Sequence, residues 1–255
     1  MAAEARIVCL VPSITELLCD LGLSAELVGR TGFCIHPWET VRTIPKVGGT
    51  KDLLFDRISE LEPTHVVVNV DENRKEDAEA LAEFVPNVVV THPQEPRDNL
   101  GLYRQMGREF DREAEAEALC ERFEEAYERA LAKRGEERDV LYLIWRDPWM
   151  TVAADTYIAQ TLALFNWRTQ PHVLSNPVGD KGQRVRYPEV RLGDLAGEVD
   201  RVLLSSEPFH FKERHVAEVA DLVPGAEVSL IDGEMTSWYG SRAIAGLDYL
   251  AELTA

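Results

Sequence analysis

The sequence predicts an α/β protein of two Rossmann-like lobes, each with a parallel sheet, joined by one long α-helix. Short apolar runs alternate with helical patterns in both halves of the 255-residue chain, which is typical of parallel α/β sheets. Between the halves, a stretch without strand signals has the spacing of a helix. We therefore predict an N-terminal lobe over residues 1–95, a connecting helix over 96–135 and a C-terminal lobe over 136–255.

The first lobe is predicted from apolar runs that are rich in β-branched residues. Nearly continuous apolar runs between helices indicate strands that are buried on both faces of a parallel sheet. The predicted strands are Arg6–Val11, Leu27–Arg30, His65–Val70 and Asn87–Thr91. The predicted helices are one capped by Ser13 and ending near Gly22, then Asp52–Leu61 and Lys75–Phe84. A loop rich in Gly, Pro and aromatic residues is expected over residues 31–51.

The connecting helix is predicted from apolar residues that recur at helical spacing. They are Leu119, Phe123, Ala126, Tyr127 and Ala130. A helix of about 25 residues spans roughly 37 Å, which is enough to cross a lobe. A break near the start of this helix stays open. A solvated coiled-coil arm is the alternative, but the heptads are not sustained.

The second lobe repeats the alternation of strands and helices. Its predicted strands are Val140–Trp145, Asp200–Ser205 and Glu227–Ile231, and its predicted helices are Thr156–Phe165 and Arg242–Leu253. This order predicts a second parallel sheet covered by helices.

The composition argues against several classes of function. The formal net charge is −18, and such a surface repels nucleic acids and anionic lipid headgroups. No apolar run is long enough to form a transmembrane helix, so no membrane insertion is expected. The four cysteines have no paired spacing, which fits a reducing compartment. No export signal precedes the apolar run Ile7–Val11, so we expect a cytoplasmic location, or a periplasmic or cell-surface one if the sequence is a trimmed mature form.

Candidate ligand-binding residues follow the predicted strands, because ligands of open parallel sheets lie beyond the carboxyl ends of the strands. Four of the five tryptophans fall in these loops. Their flat faces, with arginines and carboxylates among them, suit a large and partly apolar ligand in a cleft. The indoles and Tyr239 are expected to stack on the ligand, and Arg146 and Arg242 to pair with its anions. The candidates are Ser13, Trp38, Glu72, Arg74, Trp145, Arg146, Trp149, Glu207, Trp238, Tyr239 and Arg242.

Cys34 and His36 are candidate metal ligands, because thiolate and imidazole suit zinc or a similar ion. Their spacing is not diagnostic, and ordinary loop packing stays open as an alternative. The common motifs of nucleophilic, nucleotide-binding and zinc-dependent catalysis are absent from the sequence. We therefore predict a protein that is not an enzyme and requires no cofactor.

Several motifs resemble the class III, helical-backbone substrate-binding proteins of ABC importers, which take up vitamin B12, haem and ferric siderophores. The resemblance covers essentially the whole chain. The motifs are Val11-Pro12-Ser13-x-Thr15-Glu16-Leu17, Pro45-x-Val47-Gly48-Gly49, Ile58-x-x-Leu61-x-Pro63-x-His65-Val66-Val67 and, as in the B12-binding members, Tyr187-Pro188-Glu189-Val190.

The resemblance implies a ligand cleft between two lobes and a partner ABC permease that docks on one exposed carboxylate per lobe. The matching positions are Asp56 in the first lobe and the neighbourhood of Asp194 in the second. The loops around Cys34, Glu72-Asn73-Arg74, Trp145 and Trp238 are similar to a branch without signal peptides, described as cobalamin-binding proteins or helical-backbone metal receptors.

The first hypothesis is a solute-binding protein for a metal-containing tetrapyrrole or metal chelate. Cobalamin is the first candidate, and haem or a ferric siderophore comes next, in each case as a ligand. The alternative is a cytosolic metal-binding protein or enzyme that uses Cys34, His36, Glu72 and Glu207. A third reading is an interaction module whose acidic faces meet a basic partner.

Overall fold

A computed structural model of the protein describes residues 5–177 and 184–255. The prediction of a missing export signal rests partly on residues 1–4, which lie outside the described residues. The chain forms two compact units. Unit 1 comprises the described residues up to Pro93 with Arg97–Arg122 and Tyr239–Arg242, and unit 2 comprises Gln94–Pro96, Phe123–Trp238 and Ala243–Ala255.

Unit 1 contains a four-stranded parallel sheet. Its strands are β1 (Ile7–Cys9), β2 (Leu27–Arg30), β3 (His65–Asn69) and β4 (Asn87–Thr91), in the order β2-β1-β3-β4. The side chains of β1 and most of those in β3 are buried, as expected of a sheet covered on both faces. Valines of β1 and β3 pack with Ile58 and Leu81 of the flanking helices to form the core.

The helices of unit 1 cover this sheet. They are α1 (Pro12–Asp20), α2 (Trp38–Val41), α3 (Phe55–Glu60), α4 (Lys75–Leu81) and α5 (Asp98–Glu109). The prediction that Ser13 caps α1 is wrong, since Pro12 is the first helical residue and Val11 is the N-cap. The fixed φ of proline suits the first helical position, which moves the start of the helix back and places Ser13 inside it.

The connecting stretch is two helices rather than one. After α5, the helix α6 runs over Glu113–Ala132. Asp111 has a φ of 53°, a left-handed conformation that no helix continues through. The predicted apolar stripe is nevertheless correct, because Leu119, Phe123 and Ala126 are buried. The division between the two units falls inside α6, after Arg122.

Unit 2 contains a second four-stranded parallel sheet and a small antiparallel pair. The strands are β5 (Arg138–Leu143), β6 (Trp167–Thr169), β7 (Asn176–Pro177), β8 (Arg184–Val185), β9 (Arg201–Ser205) and β10 (Glu227–Ile231). The main sheet has the order β10-β9-β5-β6, and β7 pairs with β8. The predicted α/β class with two parallel sheets is confirmed.

Two of the helices of unit 2 were not predicted from the sequence. The helices are α7 (Tyr157–Leu164), α8 (Glu213–Leu222), α9 (Gly233–Ser237) and α10 (Arg242–Leu253), with a 3₁₀ turn at Leu192–Leu195. The missed helix α8 packs Val219 into a core with Leu141, Leu143 and Val202 of the sheet. Within the part of the chain that the structure describes, no helix is long and apolar enough to cross a membrane.

Candidate ligand-binding loops

The carboxyl ends of β1 and β3 meet at one edge of the unit 1 sheet, and Asn73 joins the loops that follow them. The side-chain oxygen of the buried Asn73 accepts a hydrogen bond from the backbone N–H of Asn69 at 2.8 Å. Its amide group donates to the carbonyl of Thr50 at 3.0 Å and faces that of Leu10 at 3.4 Å. One side chain therefore fixes three loops. Asn73 was not among the predicted site residues, although a polar residue in the loop after a buried strand is a signal for this role.

Glu72 and Tyr239, two candidates far apart in sequence, form a hydrogen bond in unit 1. The Tyr239 hydroxyl donates to a carboxylate oxygen of Glu72. Burial and the neighbouring Glu72 carboxylate hold the pKa of Tyr239 well above its ordinary value. The phenol therefore stays protonated and remains a donor at neutral pH.

Gly240 follows Tyr239 and lies where a side chain would not fit. Its φ is 82°, and an added Cβ atom would lie 3.1 Å from the carbonyl oxygen of Ser13. Its backbone N–H donates to Asn99 at 2.7 Å, and its carbonyl accepts from Tyr103 at 2.9 Å. The candidate Ser13 thus lies beside the segment that carries Tyr239, and Asn99 and Tyr103 are two positioning residues that the sequence analysis missed.

Arg242 is bound by a carboxylate of unit 1. Its guanidinium makes two hydrogen bonds of 2.7 Å to the oxygens of Glu16. Both side chains are largely buried, with 13% and 17% of their surface exposed. In this bidentate pair, Glu16 binds the guanidinium of Arg242, which was predicted to bind an anion of the ligand.

A buried arginine holds the loop that carries Trp38. Arg30, at the end of β2, is 1% exposed and donates to the carbonyls of Val41 at 2.6 Å and Thr31 at 3.0 Å. Trp38 stays 55% exposed, and Phe33 in the same loop is 61% exposed. The loop therefore presents two large aromatic surfaces to solvent on a fixed backbone.

Cys34 points inward in this loop. Its thiol is fully buried and lies 3.1 Å from the Thr15 hydroxyl and 3.2 Å from that of Thr31. Burial raises the pKa of Cys34, so its thiol stays protonated and is a poor metal ligand. His36 is half-buried. In residues 5–177 and 184–255, no three His, Cys, Asp or Glu side chains are placed to hold a metal ion together.

Trp145 and Trp149 belong to one aromatic cluster in unit 2. Trp145, which is 41% exposed, contacts Phe209 edge-on with centroids 5.8 Å apart. Phe209 contacts Phe211 at 4.7 Å, and Trp149 stacks on Phe211 at 6.2 Å. The cluster rests on the unit 2 core, with Trp145 as its exposed tryptophan and Trp149 as a packing residue.

Arg146 lies over this cluster and is already paired. Its guanidinium is 5.6 Å from the centroid of the Trp149 ring. It donates to Glu218 at 2.7 Å and to Asp147 at 2.6 Å. A ligand anion at Arg146 would therefore compete with two carboxylates.

Glu207 binds the end of α9 in unit 2. One of its carboxylate oxygens accepts from the Ser237 hydroxyl and from the Trp238 indole N–H, each at 2.8 Å. Burial raises the pKa of Glu207, and the nearby Glu234 and Asp232 add to this effect against the lowering by the two hydrogen bonds. Trp238 is only 8% exposed.

The structure thus separates the predicted residues into groups. Ser13, Glu72, Tyr239 and Arg242 come together in unit 1. In unit 2, Trp145, Arg146 and Trp149 form one group, and Glu207 and Trp238 form another. Trp38 and Arg74 are exposed at the starts of two different helices of unit 1, α2 and α4.

Comparison with protein families gives one match over more than half of the chain. The model of the periplasmic binding protein family matches residues 7–166. A comparison with curated proteins gives no match.

Solved structures match the fold over nearly the whole chain at low sequence identity. The periplasmic haem-binding protein RhuT from Roseiflexus sp. RS-1 has a TM-score of 0.80 and 19% identity, with 98% of this chain and 97% of that chain covered. The periplasmic haem-binding protein HutB of Vibrio cholerae has a TM-score of 0.79 and 19% identity, covering 98% and 99%. The periplasmic vitamin B12 binding protein BtuF of Vibrio cholerae has a TM-score of 0.76 and 14% identity, with 98% of this chain and 96% of that chain covered.

Proposed function

The chain belongs to the periplasmic binding protein family, and we propose that within this family it binds a metal-containing tetrapyrrole, with cobalamin as the first candidate. The family consists of substrate-binding proteins and not of enzymes, so the prediction of a protein without catalytic activity is confirmed. Members bind metal chelates as ligands without a cofactor and work with ABC permeases.

The predicted cytoplasmic location is wrong. The family is periplasmic, and so are the matched haem-binding and B12-binding proteins. The prediction rested on the absence of an export signal before Ile7, and the match to the periplasmic family overturns it.

The exposure of Trp38 and Trp145 is the observation that carries the ligand proposal. Both indoles lie in segments that follow the carboxyl ends of parallel strands, Trp38 as the first residue of α2 and Trp145 in the loop after β5, and this class of sheet binds ligands there. They remain 55% and 41% exposed, although burying an aromatic ring of this size stabilises a protein. Flat, exposed aromatic faces suit the flat macrocycle of a tetrapyrrole.

The two arginines that were predicted to bind ligand anions are already paired, which favours a ligand with neutral substituents at these positions. The guanidiniums of Arg146 and Arg242 are both paired with carboxylates of their own unit. The chain as a whole carries a net charge of −18. Haem presents propionate carboxylates that would need free cations, whereas the periphery of cobalamin carries amides. We therefore place cobalamin before haem, and ferric siderophores after both.

Alanine variants of the exposed tryptophans test this assignment. Trp38→Ala and Trp145→Ala should each weaken cobalamin binding by about 1–3 kcal/mol, the usual loss for a binding aromatic residue. Quenching of the remaining tryptophan fluorescence measures the affinity. Phe84→Ala and Leu222→Ala are matched controls, because these exposed residues precede strands rather than follow them. Unchanged affinity in both tryptophan variants would contradict the assignment.

A partner permease is proposed to contact Asp56 and Asp194. Asp56 lies in the first turn of α3 and Asp194 in the 3₁₀ turn of unit 2, and both side chains are exposed. Each carboxylate is thus available to an arginine of a partner protein.

A further inference from the structure

A cavity of about 620 Å³ opens at the amino edge of the unit 2 sheet, away from the proposed ligand-binding loops. Arg138, Trp167 and Arg201 are the first residues of β5, β6 and β9, and parallel strands place these ends at a common edge. The ligand-binding candidates of unit 2 follow the opposite, carboxyl ends. The residues that line the cavity are Arg134, Gly135, Glu136, Arg138, Trp167, Arg201 and Leu253–Ala255.

The cavity is locally basic in a strongly acidic protein. Three of its lining residues are arginines, whereas the chain carries a net charge of −18. Glu136 pairs with Arg138 and Glu227 with Arg201, but these two glutamates are 82% and 65% exposed. Pairs with such exposed partners are weak and give way to a stronger anion.

Arg201 is held in place and keeps an unused donor. Its guanidinium lies 5.1 Å from the centroid of the Trp167 ring, and Trp167 is 2% exposed. Only 18% of the Arg201 side chain is exposed. Among the described residues, none accepts a hydrogen bond from the buried Arg201 Nε. A buried donor without a partner costs free energy, and an anion in the cavity would remove this cost.

The wall of the cavity is shaped by close backbone packing. An added Cβ atom on Gly135 would lie 2.0 Å from the Thr254 carbonyl oxygen, so only glycine allows this approach. The Asn166 side chain donates to the Gly135 carbonyl at 2.9 Å. Arg134 is therefore attached to a fixed backbone segment next to the other two arginines.

We propose that this cavity binds a small molecule with two or more phosphate or carboxylate groups. Guanidiniums recognise both groups through paired hydrogen bonds, and three of them around one recess suit a multiply charged anion. A recess walled by the buried Trp167 suits a small molecule. The acidic surface elsewhere would repel an acidic protein partner, which argues against a macromolecular ligand.

Calorimetric titration with inorganic pyrophosphate, and separately with citrate, tests the proposal on the full chain. We expect saturable binding that Arg201→Gln and Arg138→Gln each weaken by roughly tenfold or more, the loss of a charge-assisted hydrogen bond. Arg168→Gln is the matched control. Arg168 lies next to Trp167 in β6 and pairs with Asp139, but does not line the cavity, so its replacement should change the affinity by less than about twofold.

Three results would overturn the proposal. They are no saturable binding of either probe, equal weakening by Arg168→Gln, and binding of a polyglutamate peptide but of neither small anion. Because Arg138 is exposed, Arg138→Gln keeps the test valid if Arg201→Gln fails to fold. The outcome is independent of tetrapyrrole binding, which we expect Arg138→Gln to leave unchanged.

Discussion

At the scale of single residues, most polar side chains that follow the strands bind one another. Glu72 accepts from Tyr239, Glu16 binds Arg242, and Glu207 binds Trp238. Each carboxylate accepts a hydrogen bond from a donor side chain that is largely buried. These carboxylates therefore fix the backbone from Ser237 to Arg242, and their first role is positioning.

A double-mutant cycle of Tyr239→Phe and Glu72→Gln measures the strength of one such bond. We expect a coupling energy of about 1–3 kcal/mol in the free energy of unfolding, since the acceptor is a charged group and the donor is buried. Urea denaturation of the four proteins gives this value. Additive effects of the two substitutions would show that the hydrogen bond contributes nothing.

The raised pKa of Glu207 predicts a pH dependence of stability. The folded state binds this proton more tightly than the unfolded state, so the stabilisation is complete below the ordinary pKa of about 4.5 and is lost as the pH rises through the folded value. Glu207→Gln keeps an oxygen acceptor for Ser237 and Trp238 but carries no charge. As the pH rises above about 4.5, the variant should lose less unfolding free energy than the wild type. Urea denaturation of both proteins at several pH values measures the unfolding free energy. The same dependence of this free energy on pH in the wild type and the variant would disprove the prediction.

The sequence predicts which residues follow the strands but not which of them face solvent. Trp38 and Trp238 both follow predicted strands, yet the first is exposed and the second is buried. The difference depends on Glu207, a partner about thirty positions away in the chain. Such long-range pairs leave no local pattern. The predicted stacking role of Trp238 is therefore less favoured than that of Trp38.

At the scale of elements, one buried side chain organises the whole loop from Thr31 to Lys46. The Arg30 side chain donates to two carbonyls of this loop. Its backbone N–H donates to the carbonyl of Pro45, and its carbonyl accepts from the N–H of Val47. The sequence analysis places Arg30 at the end of a strand and gives no hint of its burial. Arginines are almost never fully buried unless they are paired, so pattern alone favours an exposed position.

Replacing Arg30 by lysine should loosen this loop. Lysine lacks the planar, forked donors that reach both carbonyls, and we expect a loss of about 1–3 kcal/mol in unfolding free energy. Limited proteolysis should then cut the loop faster. Arg42→Lys is the matched control, because Arg42 is exposed and pairs with the exposed Glu39. Equal protease resistance of the Arg30→Lys and Arg42→Lys proteins would refute the role of Arg30.

The break between α5 and α6 illustrates what periodicity misses. The apolar stripe continues in the predicted manner, but Asp111 adopts a positive φ between the two helices. Asp tolerates this conformation better than most residues, and its occurrence in an acidic helical stretch carries no distinctive signal. Periodicity therefore predicts the buried face and not the continuity of the helix.

At the scale of the whole molecule, hydrophobic periodicity predicts the α/β class and the strands of both sheets except the short β6. The reason is that buried parallel strands need apolar residues on both faces, and few other patterns contain β-branched runs such as His65–Asn69. The solved structures share this fold at 14–19% identity. The fold does not determine which ligand is bound, because the choice of ligand depends on a few loop side chains.

The family's permease partner leads to a prediction for Asp56 and Asp194. Reversing either charge, with Asp56→Arg or Asp194→Arg, should abolish stimulation of the permease ATPase by the loaded protein. The reason is that the introduced arginine would repel the arginine of the permease that the carboxylate is proposed to bind. Ligand affinity should stay unchanged. Glu121→Arg, an exposed reversal on α6, is the control. Full stimulation by both aspartate variants would contradict the docking proposal.

The most direct test of the central claim is a calorimetric titration of the purified chain with cobalamin, haem, a ferric siderophore and free divalent metal ions. We predict saturable binding of one cobalamin per chain at micromolar or tighter affinity, weaker binding of haem, and no stoichiometric metal binding. Failure of all three chelates to bind, or preference for a free metal ion, would contradict the proposed ligand class.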